Sequence, residues 1–485
     1  MSGDFFDGLL YAVLLLAFGI SLRSLGILQP YSGMASPPMF GDYEAQRHWM
    51  EVTVNLPTSE WYVNTSSNDL QYWGLDYPPL TAYHSYILGC ISKMLNLSWT
   101  ELFTSRGLET PEHKRFMRLT VLVSDCLSFM PAVLLYCSTA QKLLKKDAAL
   151  SSISVAVSML SFPGLILVDH GHFQYNCISL GLFVLSLTFF AKDFDVIGSV
   201  VFCLAILYKQ MELYHALPIF VFLLSKCFSH SFTACLNRIA VLAITVCTTF
   251  FLIFLPFFTP LERLNQVALR LFPVNRGLFE DKVGNFWCIS SVFINWRQFY
   301  PKCVLFYICC LVTLLSSLPA CLSLFRRPSI TRLILTEAIV SLSFYLFSYQ
   351  VHEKSILLVA VPVLCLLPML PLSSYYFLFV STLSMWPLFF KDGLCHACIA
   401  LVTIFYVVAS VCLSTDSFGN SRVSLVRFWP LGLSLMGYFI IFTLQILVQP
   451  PAKYPFLFSF VVNAYSFFHF VGFYVFWSGQ LFSLK

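Results

Sequence analysis

Residues 239–258 read IAVLAITVCTTFFLIFLPFF, twenty positions without a single charge. A helix needs about 20 apolar residues to cross the hydrocarbon core of a bilayer. Runs of similar character, some shorter, centre near residues 17, 127, 160, 183, 202, 220, 313, 340, 362, 381, 404, 438 and 468. The pattern predicts an all-α polytopic membrane protein with about fourteen transmembrane helices.

Composition agrees. Hydrophobic residues make up 58% of the chain and charged ones 11%, against about 25% charged in a soluble domain. Fifty Phe and a mean hydropathy of +0.77 leave little with which to build a water-facing surface. The net charge of +5 is slight, and the basic residues fall in short clusters between apolar runs. That is a topology signal and excludes a nucleic-acid footprint. The seventeen Cys are mostly scattered through apolar stretches as small hydrophobes. The one CxxC spacing, Cys395-His396-Ala397-Cys398, has no second pair to complete a zinc site and reads as a loop. The first apolar run, Leu9 to Leu28 with Arg23 inside it, follows Asp4 and Asp7 instead of a basic segment, so it reads as an uncleaved anchor.

Basic residues alternate between successive short loops. Lys142, Lys145 and Lys146, then Lys226 and Arg238, then Arg326, Arg327 and Arg332, then Arg422 and Arg427 form the richer set. Lys209, Lys354, Lys391 and Lys453 form the poorer one. The positive-inside rule puts the richer set and both termini in the cytosol. The chain is then one membrane-embedded unit: a first span within 1–28, a lumenal segment 29–115, helices over 116–258, a second lumenal loop 259–300, and helices over 301–485. Two sequons, Asn64-Thr65-Ser66 and Asn96-Leu97-Ser98, fall on the lumenal side.

The long polar segment holds most of the chemistry. Residues 41–87 read GDYEAQRHWMEVTVNLPTSEWYVNTSSNDLQYWGLDYPPLTAYHSYI. From Tyr43 to Leu56, ended by Pro57, an apolar stripe of Trp49, Val52 and Leu56 opposes Glu44, Arg47, His48 and Glu51. The periodicity predicts a short amphipathic helix lying at the membrane interface. Aromatics such as Trp61, Tyr72, Trp73 and Tyr77 suit an interface belt or a sugar-stacking surface. On pattern alone Asp42 is better explained as the N-cap of this helix than as a catalytic acid. Asp76 equally braces the turn before Pro78-Pro79.

The run Gly41-Asp42-Tyr43-Glu44-Ala45-Gln46-Arg47-His48-Trp49-Met50-Glu51 and the run Trp73-Gly74-Leu75-Asp76-Tyr77-Pro78-Pro79-Leu80-Thr81-Ala82-Tyr83-His84-Ser85 resemble the first lumenal loop of a known family. It is that of the dolichyl-phosphate-glucose-dependent α-1,3-glucosyltransferases of the endoplasmic reticulum. Asp169–Asn176, Tyr208–His215, Leu271–Val283 and Val351–Ser355 match in the same order. Ala45–Glu51 and Leu80–Ser85 favour the branch adding the first glucose to Man9GlcNAc2-diphosphodolichol over the sibling adding the second. The resemblance implies a C-type membrane glycosyltransferase fold. It also implies an inverting displacement from β-linked dolichyl-phosphate-glucose, with Asp42 as general base and Asp76 as supporting acid.

An inverting transfer needs one base and groups that stabilise the departing phosphate. A single lipid phosphate carries less charge than a nucleotide diphosphate, and no Asp-x-Asp pair stands in the lumenal loops, so no metal or other cofactor is expected. His352, Lys354 and Arg276 are the expected phosphate partners, His352 first. Lys354 equally reads as a snorkelling lysine, and Arg276 as the partner of Glu280. Glu44, Arg47, Trp73, Tyr77, His172, Gln174, Glu212 and His215 are expected to line the substrates. His170 and His172, with Asp169, are favoured as a hydrogen-bonded turn over a metal site. Glu212 and His215 line the donor groove or satisfy one another. Asp125 and Glu337 are expected to face the bundle interior. The expected partners are the dolichyl-phosphate-glucose donor, the lipid-linked acceptor and membrane lipids. The competing classes are the second-glucose sibling, a dolichyl-phosphate-mannose mannosyltransferase and a transporter; no repeat of the transporter kind is evident.

Overall fold

A computed structural model describes residues 2–143, 149–272, 278, 283–416 and 428–484. Among the described residues there are helices and turns and no strand. Among the described residues ten helices are long and apolar enough to cross a membrane. The all-α membrane architecture expected from the apolar runs is therefore present, while the count of about fourteen is not confirmed by length and composition. The runs near 183, 202, 362 and 381 form the shorter helices Asn176–Ala191, Asp195–Tyr208, Leu357–Leu366 and Pro371–Ser384. Leu357–Leu366 is buried at every position. Being covered by protein, such a helix is as apolar as a lipid-facing one without needing its length. Phe232–Phe254 is the opposite case: only Cys235 is buried, and Leu236, Ile244 and Leu252 are exposed in the manner of a lipid-facing surface.

The charge inside the first apolar run is paired. Arg23 Nε donates to Asp125 Oδ2 at 2.6 Å, and His170 Nε2 lies 2.9 Å from the same oxygen. The arginine that interrupts the first apolar run thus finds its counter-charge on Pro111–Leu127, as the cost of an unpaired charge in lipid requires. Asp125 and Glu337 are both fully buried, in agreement with expectation.

The polar segment departs from the sequence reading. Helix Gly41–Asn55 is not amphipathic at a surface; every residue from Tyr43 to Thr53 is buried. Trp49 and Val52 pack with Trp61, Tyr62 and Leu75. On the other side Arg47 donates to Glu44 (2.7 and 2.6 Å), to Glu51 (2.7 Å) and to Ser105 Oγ (2.6 Å). The polar stripe therefore faces a second protein layer, residues 97–106, instead of water. The lipid-like face belongs to Pro79–Leu95, where Tyr86, Ile87, Ile91, Met94 and Leu95 are exposed. The two helices cross at Gly89, where a Cβ would stand 2.8 Å from the Met50 carbonyl oxygen. Cys395-His396-Ala397-Cys398 is likewise not a loop; it begins helix Cys395–Thr415.

Candidate active site

Asp42 owes its position to two left-handed residues. Phe40 at φ 57° and Gly41 at φ +71° swing the chain into helix Gly41–Asn55, against Ser32 and Gly33. A Cβ on Gly41 would lie 2.6 Å from the Ser32 carbonyl carbon, so only glycine fits. Phe40 is the N-cap and no side chain caps the helix. The capping role favoured for Asp42 on pattern alone is thus absent: Asp42 sits inside the first turn and its carboxylate points elsewhere.

That carboxylate meets two donors and an imidazole. Asp42 Oδ2 accepts from Lys354 Nζ at 2.5 Å and Gln174 Nε2 at 2.5 Å, and lies 3.0 Å from His172 Nε2. The Asp42 side chain keeps 24% exposure, so the cluster opens outwards. Burial alone would raise the Asp42 carboxyl, but the Lys354 ammonium and the His172 imidazole hold it well below the usual carboxylate range. It is ionised throughout neutral pH and able to accept a proton.

His172 and Gln174 reach the same oxygen because the chain changes conformation between them. Leu167–Phe173 is a π-helical turn, a local distortion often found at functional sites. Phe173 leaves it at φ 93°, and Gln174 is extended. Arg118 holds the turn from behind, donating to the Gly171 and Pro30 carbonyls at 2.9 Å each. His170 belongs to the Arg23–Asp125 pair and His172 to Asp42, so the two histidines face different partners, in keeping with a hydrogen-bonded turn. Among the described residues no group of three or more His, Cys, Asp or Glu could hold a metal ion.

His352 and Lys354 share one turn. His352 is the N-cap of Glu353–Ile356, its Nδ1 accepting the Lys354 amide at 3.4 Å. Burial first, then the neighbouring Lys354 charge, pushes the His352 imidazole well below its ordinary value. With Nδ1 accepting, a neutral ring carries its hydrogen on Nε2 and presents it as a donor.

Lys209 and Asp392 complete the cluster, and neither was singled out by sequence. Lys209 Nζ donates to Asn176 Oδ1 and to Gln174 Oε1 (3.3 Å), 5.0 Å above the Tyr77 ring. Burial, and then Lys354, pull the Lys209 ammonium down to about 8. Asp392 Oδ2 lies 2.5 Å from His172 Nδ1. Lys209 had the signal of a lone lysine at the end of an apolar run. Asp392, beside Lys391, resembles any loop charge.

The other expected residues are placed as follows. The Asp76 carbonyl accepts from Gln210 Nε2 at 3.0 Å. Trp73 donates from its indole to the Met39 carbonyl, over the turn that leads to Asp42. Glu44 and Arg47 are spent in the buried network described above, which also takes the Tyr72 hydroxyl on Glu44 at 2.8 Å. Glu212 and His215, both fully buried, pair with each other at 2.8 Å, and His215 Nε2 donates to the Leu358 carbonyl at 2.7 Å. Of the two readings offered for that pair, the geometry is mutual satisfaction. Arg276 lies outside the described residues.

A base held ionised, two lysines and a neutral imidazole donor at one opening form a set suited to taking a hydroxyl proton and receiving an anionic leaving group. The family model described as "ALG6, ALG8 glycosyltransferase family" matches residues 12–477. The chain is similar to a Gallus gallus protein named "Dolichyl pyrophosphate Man9GlcNAc2 alpha-1,3-glucosyltransferase". The two are 45% identical over 482 residues, covering 95% of this chain and 94% of that protein. A Rattus norvegicus protein of the same name is 46% identical over 484 residues, with 95% and 94% covered. A Drosophila melanogaster protein, named as probable for the same activity, is 42% identical over 468 residues, with 96% and 97% covered. The chain therefore belongs to the ALG6, ALG8 glycosyltransferase family, and the enzyme reading stands over the transporter.

Proposed function

We propose that this member of the ALG6, ALG8 glycosyltransferase family transfers the first glucose from dolichyl-phosphate-glucose, in α-1,3 linkage, to lipid-linked Man9GlcNAc2. The reaction takes place on the lumenal side of the endoplasmic reticulum membrane, with segment 29–115 and the loop 259–300 in the lumen and both termini in the cytosol. The names of the full-length relatives support the substrates, and the exposed Asn64 sequon agrees with the topology.

The observation that carries the mechanism is the ion pair between Lys354 and Asp42 at 2.5 Å. Asp42 is the base. In a single displacement the mannose 3-hydroxyl oxygen attacks the anomeric carbon from the face opposite the phosphate, so β-linked glucose emerges α-linked. The hydroxyl proton passes to Asp42 as the new bond forms, and the electron pair of the broken bond departs with the phosphate. A carboxylate of low basicity suffices because the hydroxyl becomes acidic only as it bonds to carbon. The leaving phosphate takes the Lys354 ammonium and the Nε2 hydrogen of His352, with Arg276 as a third partner; these donors match the charge that develops there. Lys354 thereby exchanges one anion for another, and its removal from Asp42 strengthens the base when the donor is in place. Asp76 supports the acceptor side, and His172, Gln174, Trp73 and Tyr77 line the substrates. The reaction needs no metal.

The test uses purified full-length protein with dolichyl-phosphate-glucose and lipid-linked Man9GlcNAc2, with and without chelator. An α-glucosidase-sensitive Glc1Man9 product in both arms is expected. Transfer only to an acceptor already carrying one glucose would move the assignment to the sibling activity. Activity abolished by chelation would refute the metal-free mechanism.

A further inference from the structure

We propose that Asp392 is a positioning residue for this transfer, fixing His172 so that its Nε2 becomes the next holder of the proton removed by Asp42. The inference deepens the reading above and rests on Asp42 being the base.

Asp392 follows helix Trp386–Lys391, and its side chain is 3% exposed. Its Oδ2 stands 2.5 Å from His172 Nδ1. An ionised carboxylate can only accept, so Nδ1 carries a hydrogen and the ring's remaining freedom lies at Nε2. Nε2 faces two groups of opposite character, Asp42 Oδ2 at 3.0 Å and Lys354 Nζ at 3.0 Å. Unprotonated, it accepts from the lysine. Protonated, it donates to the aspartate. No other imidazole in the site has both choices, since His352 Nδ1 is tied to a backbone amide.

The proton balance follows. The O–H bond of the acceptor breaks as its oxygen bonds to the anomeric carbon, and the pair from the carbon–phosphate oxygen bond leaves with the phosphate. The proton goes first to Asp42 and then to His172 Nε2, which restores the Asp42 carboxylate. The imidazolium so formed lies between two carboxylates, Asp42 and Asp392. Lys354 has by then turned to the leaving phosphate, so the imidazolium alone answers the two carboxylates in a poorly hydrated place. Without Asp392 the ring could take the other tautomer, and the protonated ring would lose one of its two anionic neighbours. The same logic governs buried acids that orient a histidine base in hydrolases.

The experiment compares wild type, Asp392→Asn, His172→Gln and the double variant, with kcat and both KM values measured alongside thermal stability. Asp392→Asn should lower kcat roughly 10²-fold, the lower end for general acid–base catalysis, with both KM values within about threefold and Asp392→Glu recovering most of the loss. In the His172→Gln background the same change should cost less than about threefold, because residues that act as a unit are not additive. An equal cost in both backgrounds, a change in KM alone, or wild-type kcat in Asp392→Asn would overturn the proposal. If Asp392→Asn does not fold, the cycle is run with Asp392→Ser, where the same non-additivity is required. Wild-type protein is assayed first: no glucosyl transfer there would sink the functional reading and this inference with it, whereas normal transfer with equal costs in both backgrounds would sink this inference alone.

Discussion

Asp42→Asn is the sharpest perturbation, because it is isosteric and removes only charge. The asparagine oxygen can take the place of Oδ2 and accept from Lys354 and Gln174, leaving the amide nitrogen at the other position. Two charge-assisted hydrogen bonds become weaker ones, a loss of about 1–2 kcal/mol each. The cost of desolvating an ionised carboxylate disappears at the same time. The net change in stability is within about 2 kcal/mol, and the variant folds. Catalysis suffers far more, since an amide takes no proton. Loss of general base catalysis is worth roughly 10²–10⁴ in rate, or about 2.7–5.4 kcal/mol of barrier. The assay is glucosylation of lipid-linked Man9GlcNAc2 by purified protein, followed as product per enzyme at saturating donor. Donor KM should stay within about threefold while kcat falls at least a hundredfold. A kcat within tenfold of wild type, in a variant with normal thermal stability, would show that Asp42 is not the base.

Other outcomes follow from the surrounding structure. Arg47→Met leaves Glu44 and Glu51 buried without their shared counter-charge, and should lower stability by about 3–5 kcal/mol; a stable protein with only a raised KM would return Arg47 to the substrate-lining role expected from sequence. Glu51 is held at about 2 against an ordinary 4.5; burial alone would raise it, and the His48 hydrogen bond, the Arg47 charge and the Phe103 amide outweigh that. Because the folded value is the lower one, the unfolded chain takes up the proton first on acidification. Up to roughly 3 kcal/mol of stability present above pH 4.5 is therefore lost between 4.5 and about 2. Glu51→Gln should flatten that acid branch in chemical unfolding, and an unchanged branch would refute the assignment. Asn64 and Asn96 are both exposed, but Asn96 is flanked by the exposed Met94, Leu95 and Leu97 of a lipid-like face. Endoglycosidase should therefore shift the mobility of wild type and of Asn96→Gln, but not of Asn64→Gln. No shift in wild type would count against a lumenal 29–115.

The parts of the fold legible in the sequence were those written in single runs. Ile239–Phe258 declared itself because lipid demands apolar side chains all round. Leu357–Leu366 has the same composition for another reason, burial in protein, and composition does not separate the two. Helix Gly41–Asn55 misled in a related way. Glu44, Arg47 and Glu51 have the i, i+3 and i+4 spacing of a solvated face, yet their third partner, Ser105, is 54 residues beyond Glu51 and makes the face an interior. At the site, Asp42, His172, Gln174 and Lys354 each stood out by residue type or by resemblance. Their convergence did not, because 312 residues separate Asp42 from Lys354. Asp392 carried no local signal at all.

The wide spacing of these partners has a consequence for synthesis. As the chain threads into the membrane from its amino end, Asp42 is among the first side chains delivered, and nothing within the next hundred residues answers its charge. His172 and Gln174 arrive with the π-helical turn, Lys354 only after eleven further helical segments among the described residues, and Asp392 later still. The nascent protein is thus chemically silent through most of its insertion, and the cluster is assembled in one late event that joins the early and late parts of the chain. An acid kept in waiting so long must be parked in water or beside lipid headgroups, which makes the stretch around Gly41 and Asp42 the natural place for insertion to fail.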